Sequence, residues 1–213
     1  MTVNAVVYSI LPEDAGLSAA PPLLSRRQRS AALARLLLSR MLSEVWGAAP
    51  EKVQICSESS GRPYLAPVFS QRPPFISISH TRGWVACAAT EIGPVGIDIE
   101  RQRPNRDHAG IAAVAFGPRE AARAGSSGTA FYRIWTLREA ISKACGQGLA
   151  LAADGLDRVH DGPDEGHWFA TSDQGTWALS HGPINDDTSL ATAVLLPGPG
   201  YPVRLERWAP AWP

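Results

Sequence analysis

The run Phe75–Glu100, FISISHTRGWVACAATEIGPVGIDIE, decides how the chain is read. FISISH and WVACAAT are two β-type runs around His80-Thr81-Arg82-Gly83, and GPVGIDIE adds a third strand after a Gly-Pro turn. Side chains two apart on a strand share a face. Ile97 and Ile99 therefore turn to a core, while Asp98 and Glu100 hold two negative charges side by side on the other face. Two such carboxylates repel unless water, cations or a metal ion neutralise them. Arg101 and Arg103 are the nearest cations in sequence, so solvated or arginine-paired carboxylates are one reading.

Working outward, MTVNAVVYSI reads as a first strand, and Leu11 to Leu24 as a Pro/Ala-rich loop. Ser25 is an N-cap in front of a helix, SRRQRSAALARLLLSRMLSEVW, that stops at Gly47. KVQICSES and SSGRPYL form a strand and a Gly-Pro turn. After a weakly helical Ala/Gly-rich stretch from Asn105 to Ser127 comes a strong helix, GTAFYRIWTLREAISKACGQGL, closed by Gly146 and Gly148. The remaining residues read as β-rich, with short strands near Trp168, Trp177 and Leu190 to Leu196.

TWALSHGPINDDTSLATAVLL repeats the order of FISISHTRGWVACAAT: strand, Ser-His, loop, Ala/Val strand. We therefore expect an α+β fold, a pseudo-twofold duplication of two similar subdomains, each a small antiparallel sheet packed on a long helix. Residues 1–102 form the first, residues 103–213 the second, and the active site lies at their interface.

The 213 residues carry 20 Lys+Arg against 20 Asp+Glu, so no global field draws the chain to nucleic acid or to an anionic membrane. The only dense basic cluster is Arg26, Arg27, Arg29, Arg35 and Arg40. Cys56, Cys87 and Cys145 are odd in number and without metal-like spacing, which argues against a disulfide framework and for a cytoplasmic protein. No apolar run approaches the ~18 residues of a membrane span.

On the strong helix, Ile134, Leu137, Ile141 and Ala144 share one face, and Trp135, Glu139 and Lys143 share the opposite one. A Glu139–Lys143 helix pair washed by solvent is one reading of that stripe. Trp135 favours another, the wall of a cleft. If Glu139 stands opposite Asp98 and Glu100, three oxygen ligands converge on a hard cation such as Mg²⁺ with Lys143 beside it, as phosphoryl transfer requires.

GIDIE followed by WTLREAISKACGQGL resembles the paired signature of the 4′-phosphopantetheinyl transferases, Gly-x-Asp-x-Glu and Trp-x-x-Lys-Glu-Ala-x-x-Lys. SSGRPYL is similar to that family's Gly-Lys-Pro turn, and FISISHTRGWVACA to its Phe-x-x-Ser-His segment. Four motifs in order over residues 61–149, with the length and the duplication, resemble the larger monomeric surfactin-synthetase-activator type. The resemblance implies that Asp98, Glu100 and Glu139 hold Mg²⁺ on the pyrophosphate of coenzyme A. It also implies that Glu139 takes the proton from a serine of an acyl or peptidyl carrier protein, and that Lys143 steadies the developing charge. Arg62, Ser79, His80, Thr81 and Lys143 would contact coenzyme A, with Arg26 and Arg29, beside Arg27, as candidates for its 3′-phosphate. Arg119 and Arg123 would lie on a carrier-docking surface within 111–127. Neither nucleic acid nor membrane is an expected partner.

The sequence departs from the pattern in carrying Arg138 and Arg62 where the family usually has lysine, a fork in place of a point charge. The loop before the first helix lacks basic residues, and Glu120 stands near a further acidic position of the family. Two alternatives are a metal-dependent nuclease or phosphodiesterase and an inactive coenzyme A- or carrier-binding module. Adjacent strand residues Ser79 and His80 point to opposite faces, which excludes a nucleophile–base pair. His181 reads as structural.

Overall fold

The computed structural model describes residues 4–14, 25–67, 70, 73–146, 159–161, 167–172 and 174–210. Gly148, expected to help close the strong helix, lies outside them, as do residues 1–3 and most of the Pro/Ala-rich loop.

The first helix, α1 (Arg26–Trp46), forms where its periodicity predicts. Ser25 caps it in a reciprocal box with Gln28, and Gly47 ends it in the left-handed region at φ 64°. Its buried stripe of Leu33, Leu37, Leu38, Met41 and Leu42 packs on β1 (Ala5–Pro12), β4 (Phe75–Thr81) and β5 (Trp84–Thr90). β2 (Ile55–Ser57) and β3 (Pro63–Leu65) make a separate two-stranded ribbon around the Gly61 turn.

β6 (Val95–Arg101) pairs not with β4 or β5 but with β10 (Thr188–Leu195), as the edge of a second sheet that continues through β9 (Gly175–Asn185), β8 (His167–Ser172) and β7 (Val159–Asp161). The first sheet runs β11–β1–β5–β4, β11 being Arg204–Arg207. Each sheet therefore takes a strand from the other half of the sequence.

The second sheet is antiparallel throughout, as expected. In the first, the expectation of an antiparallel sheet needs correction at one edge, where β11 lies parallel to β1. Parallel neighbours need a long crossover. Here nearly the whole chain supplies it.

Period-two alternation stacks these parts in four layers. Val7, Val85, Cys87 and Ala89 face α1, while Val6, Ile10, Ala86 and Ala88 face Val95, Ile97, Ile99, Leu190 and Val194 of the second sheet. That sheet's other face, with Trp177, Leu179, Ala191 and Ala193, carries α4 (Gly128–Cys145). Ser127 caps α4 and Gly146 ends it at φ 72°. Short helices α2 (His108–Ala115) and α3 (Pro118–Ala124) occupy the Ala-rich stretch between β6 and α4.

Gly96 sets the spacing of the last two layers. A Cβ there would lie 1.8 Å from the carbonyl oxygen of Ala140, so α4 rests directly on the backbone of β6. The architecture is mixed α+β. Among the described residues no helix is long and apolar enough to cross a membrane, and the three cysteines are unpaired thiols.

Candidate active site

Because Ile97 and Ile99 enter the inter-sheet core, at 0% and 1% exposure, the alternate residues of β6 face α4. Asp98 is 4% exposed there, Glu100 is half-buried, and across from them α4 presents Trp135, Glu139 and Lys143, all half-buried. The opposite stripe, Ile134, Leu137, Ile141 and Ala144, is buried. Of that polar stripe, Lys143 borders a cavity, while Trp135, expected to wall a cleft, packs against Phe116 and Phe131.

Lys143 settles the choice between a helix pair and a cross-element pair. Its Nζ lies 2.6 Å from Asp98 Oδ1, 2.8 Å from Ser79 Oγ and 3.1 Å from the carbonyl oxygen of Ile97. Three acceptors satisfy the three ammonium protons. Arg101 is taken by Asp187 at 2.6 Å, so it does not neutralise the acidic pair.

Burial, and after it the charge on Asp98, push Glu100 up to about 7. The same two causes, in the same order, raise Glu139 above the ordinary carboxylate range. Lys143 opposes both shifts, joined at Glu100 by Arg106 and Arg103. Glu100 and Glu139 thus each feel the charge of Asp98, yet among the described residues no group of three such ligands closes around a point that could hold an ion. Like charges with one lysine among them repel and stand apart.

The donor chemistry nonetheless fits a hard divalent cation. All three groups are oxygen donors, and Asp98 Oδ2 is buried without a hydrogen-bond partner.

His80 lies on the opposite face of β4 from Ser79. Burial lowers its pKa first, then the charges of Lys143 and Arg27. Arg27 is thus a helix-one arginine whose charge reaches the site; Arg26 beside it is exposed and Arg29 is half-buried. Arg62 reaches the site from the β2–β3 ribbon, where Ser60, Arg62, Ser142, Lys143 and Gly146 line a cavity of about 220 Å³. Thr81 Oγ1 lies 3.5 Å from Glu100 Oε2.

Glu13 and Arg106 carry no signal in the sequence, and nothing in it pairs Arg138 with Glu120. Glu13, at the end of β1, accepts hydrogen bonds from Ser30 Oγ of α1 and, at 3.0 Å, from the backbone N–H of Gly83 in the β4–β5 turn. It thereby ties the helix bearing Arg27 to the hairpin bearing His80. Arg106 lies over the rings of Trp135 at 5.0 Å and Phe131 at 5.4 Å. Arg138, next to Glu139, is fully buried, paired with Glu120 of α3 and stacked 5.1 Å from the centre of the Phe116 ring. Glu120 belongs to that buried pair beneath the site.

Residues 94–194, which span β6, the short helices α2 and α3, α4 and the strands of the second sheet that follow it, match the sequence profile of the 4′-phosphopantetheinyl transferase superfamily. The chain is 34% identical over 143 residues to the 4′-phosphopantetheinyl transferase AcpT of Escherichia coli, covering 65% of this chain and 68% of that protein. It is 33% identical over 121 residues to the 4′-phosphopantetheinyl transferase HetI of a Nostoc species, with 54% and 51% covered. A 4′-phosphopantetheinyl transferase of Bacillus subtilis is 28% identical over 138 residues, with 62% and 58% covered. The chain thus spans between half and three fifths of the length of the Nostoc and Bacillus relatives. With a family profile centred on the acidic strand and its facing helix, and a relative matched over two thirds of its length, this chain belongs to the 4′-phosphopantetheinyl transferase superfamily.

Proposed function

We propose that the protein transfers the 4′-phosphopantetheine group of coenzyme A to a serine hydroxyl of an acyl or peptidyl carrier protein, releasing adenosine 3′,5′-bisphosphate. The observation that carries this reading is the bridge of Lys143 between Asp98 and Ser79. It puts a cation at the junction of the carboxylate group and a cavity bordered by Arg62, the arrangement a diphosphate needs on one side and a divalent ion on the other.

Asp98, Glu100 and Glu139 are the residues that would hold Mg²⁺, which when bound neutralises diphosphate charge. Arg62 and Lys143 bind coenzyme A phosphates, and Arg27 with His80 supplies a second anion contact. Glu139 accepts the proton of the carrier serine, a role suited to a carboxylate whose proton affinity burial has raised. The serine oxygen forms a bond to the phosphorus that carries pantetheine, and the bond from that phosphorus to the bisphosphate oxygen breaks. Lys143 stabilises the charge left on the departing group.

On this reading residues 1–102 and 103–213 are two pseudo-twofold subdomains of a cytoplasmic monomer that exchange β6 and β11, with the site where β4 meets β6 and α4. The carrier docks on α2 and α3, where Val114 is 90% exposed and Arg119 and Arg123 are exposed.

The test is mass spectrometry of an apo carrier protein incubated with the enzyme, coenzyme A and Mg²⁺. The expected result is a mass gain of one phosphopantetheine group, abolished by Glu139→Gln and by a chelator. Cleavage of DNA under the same conditions, without carrier modification, would replace this reading with a nuclease.

A further inference from the structure

β4 and β6 are edge strands of different sheets that run side by side with no backbone pairing between them. The N–H groups on the open edge of β6 do not go unpaired. Ser77 Oγ accepts from Ile97 N at 3.1 Å, Ser79 Oγ from Ile99 N at 3.3 Å and Thr81 Oγ1 from Arg101 N at 3.2 Å. Two strands with the same rise keep such a register, so hydroxyls at every second position meet N–H groups at every second position.

Each hydroxyl also has one proton of its own. At Ser79 the oxygen already accepts from Ile99 N and from Lys143, so its proton goes to Asp98 Oδ1, 2.9 Å away. At Thr81 the proton is directed to Glu100 Oε2 at 3.5 Å. At Ser77 there is no carboxylate to meet, because the corresponding β6 residue is Gly96. Asp98 Oδ1 thus receives two donors, Ser79 and Lys143, while Oδ2 stays buried and unbonded. A carboxylate's terminal torsion is soft, and without such donors the group turns freely.

We propose that Ser79 and Thr81 are positioning residues: their hydroxyls fix the orientation of Asp98 and Glu100, leaving Asp98 Oδ2 as the oxygen offered to a divalent cation. This rests on the reading of the acidic group as a cation site. It differs from the expectation that these two side chains contact coenzyme A. Outer hydrogen bonds of this kind hold ligand groups in register and change metal affinity without touching the metal.

The test is the affinity of the purified full chain for Mn²⁺, read by electron paramagnetic resonance, with thermal melting measured alongside. Ser79→Ala should weaken Mn²⁺ binding about tenfold, the low end for losing an outer hydrogen bond. Thr81→Val should weaken it less, and Thr81→Ser should restore the native affinity. Ser77→Ala removes the same kind of backbone contact without touching a carboxylate, so it should lower the melting temperature and leave Mn²⁺ affinity unchanged. Native-like affinity in both Ser79→Ala and Thr81→Val overturns the proposal, as does a loss in Ser77→Ala equal to that in Ser79→Ala. Absence of Mn²⁺ binding by the unmutated protein would instead remove the cation site itself, and the proposal with it.

Discussion

Lys143 Nζ lies 2.6 Å from Asp98 Oδ1, so the α4 lysine pairs with a strand residue 45 positions earlier and not with Glu139 on its own helix. A buried carboxylate and a partly exposed ammonium thereby join α4 to β6. Lys143→Met should leave Asp98 without its main counter-charge and destabilise the fold by about 2 kcal/mol, measured by urea denaturation. In the carrier-modification assay it should cost about a hundredfold in kcat, the scale of one lost charge-stabilising donor.

Gly96 fixes the approach of the same two elements. Gly96→Ala forces a methyl into the Ala140 carbonyl, and the helix must lift from the strand. A loss of about 3 kcal/mol is expected, with Mn²⁺ binding weakened because Glu139 moves away from Asp98. Stability equal to that of the unmutated protein would show that α4 does not rest on this backbone.

The Arg138–Glu120 pair is sealed from water, at 0% and 2% side-chain exposure. Glu120→Ala leaves a buried guanidinium without its carboxylate and should cost about 3–5 kcal/mol. The double change Arg138→Met with Glu120→Leu should recover much of that loss, since both charges leave the interior together. A double-mutant cycle by thermal denaturation measures the coupling.

His181 sets one pH response. Burial, then the charge of Arg133, lowers its pKa to about 4, well under the unfolded value near 6.5. Between those values the unfolded chain binds a proton that the folded chain refuses, so stability is fully present above pH 6.5 and is lost as pH falls toward 4. His181→Gln should flatten the pH dependence of the melting temperature over that window, on the order of 2 kcal/mol. An unchanged slope would assign the acid response to other groups.

What the sequence made legible was whatever backbone geometry repeats locally. The caps at Ser25 and Gly47, the strand from Val95, the polar stripe of α4 and the carboxylates of Gly-x-Asp-x-Glu all follow from periods of 2 or 3.6 residues and from single capping positions. Which distant groups meet was not legible. Lys143 choosing Asp98 over Glu139, Arg101 leaving the acidic pair for Asp187, and Glu13 bridging Ser30 and Gly83 depend on how four layers stack, which no local period encodes. The hydroxyls of Ser77, Ser79 and Thr81 recur at every second position of β4, a row from which no expectation was drawn. Their partners were not legible, because β6 pairs into the other sheet.

The parallel pairing of β1 with β11 bears on the order of synthesis. Ala5 leaves the ribosome 204 − 5 = 199 residues before its neighbour Arg204. Until then the exposed side of β1 has no companion, and contacts that distant are among the slowest a folding chain makes. A chain truncated before residue 204 would hold both long helices and both sheets in outline, with one border of the first sheet still open to whatever strand arrives.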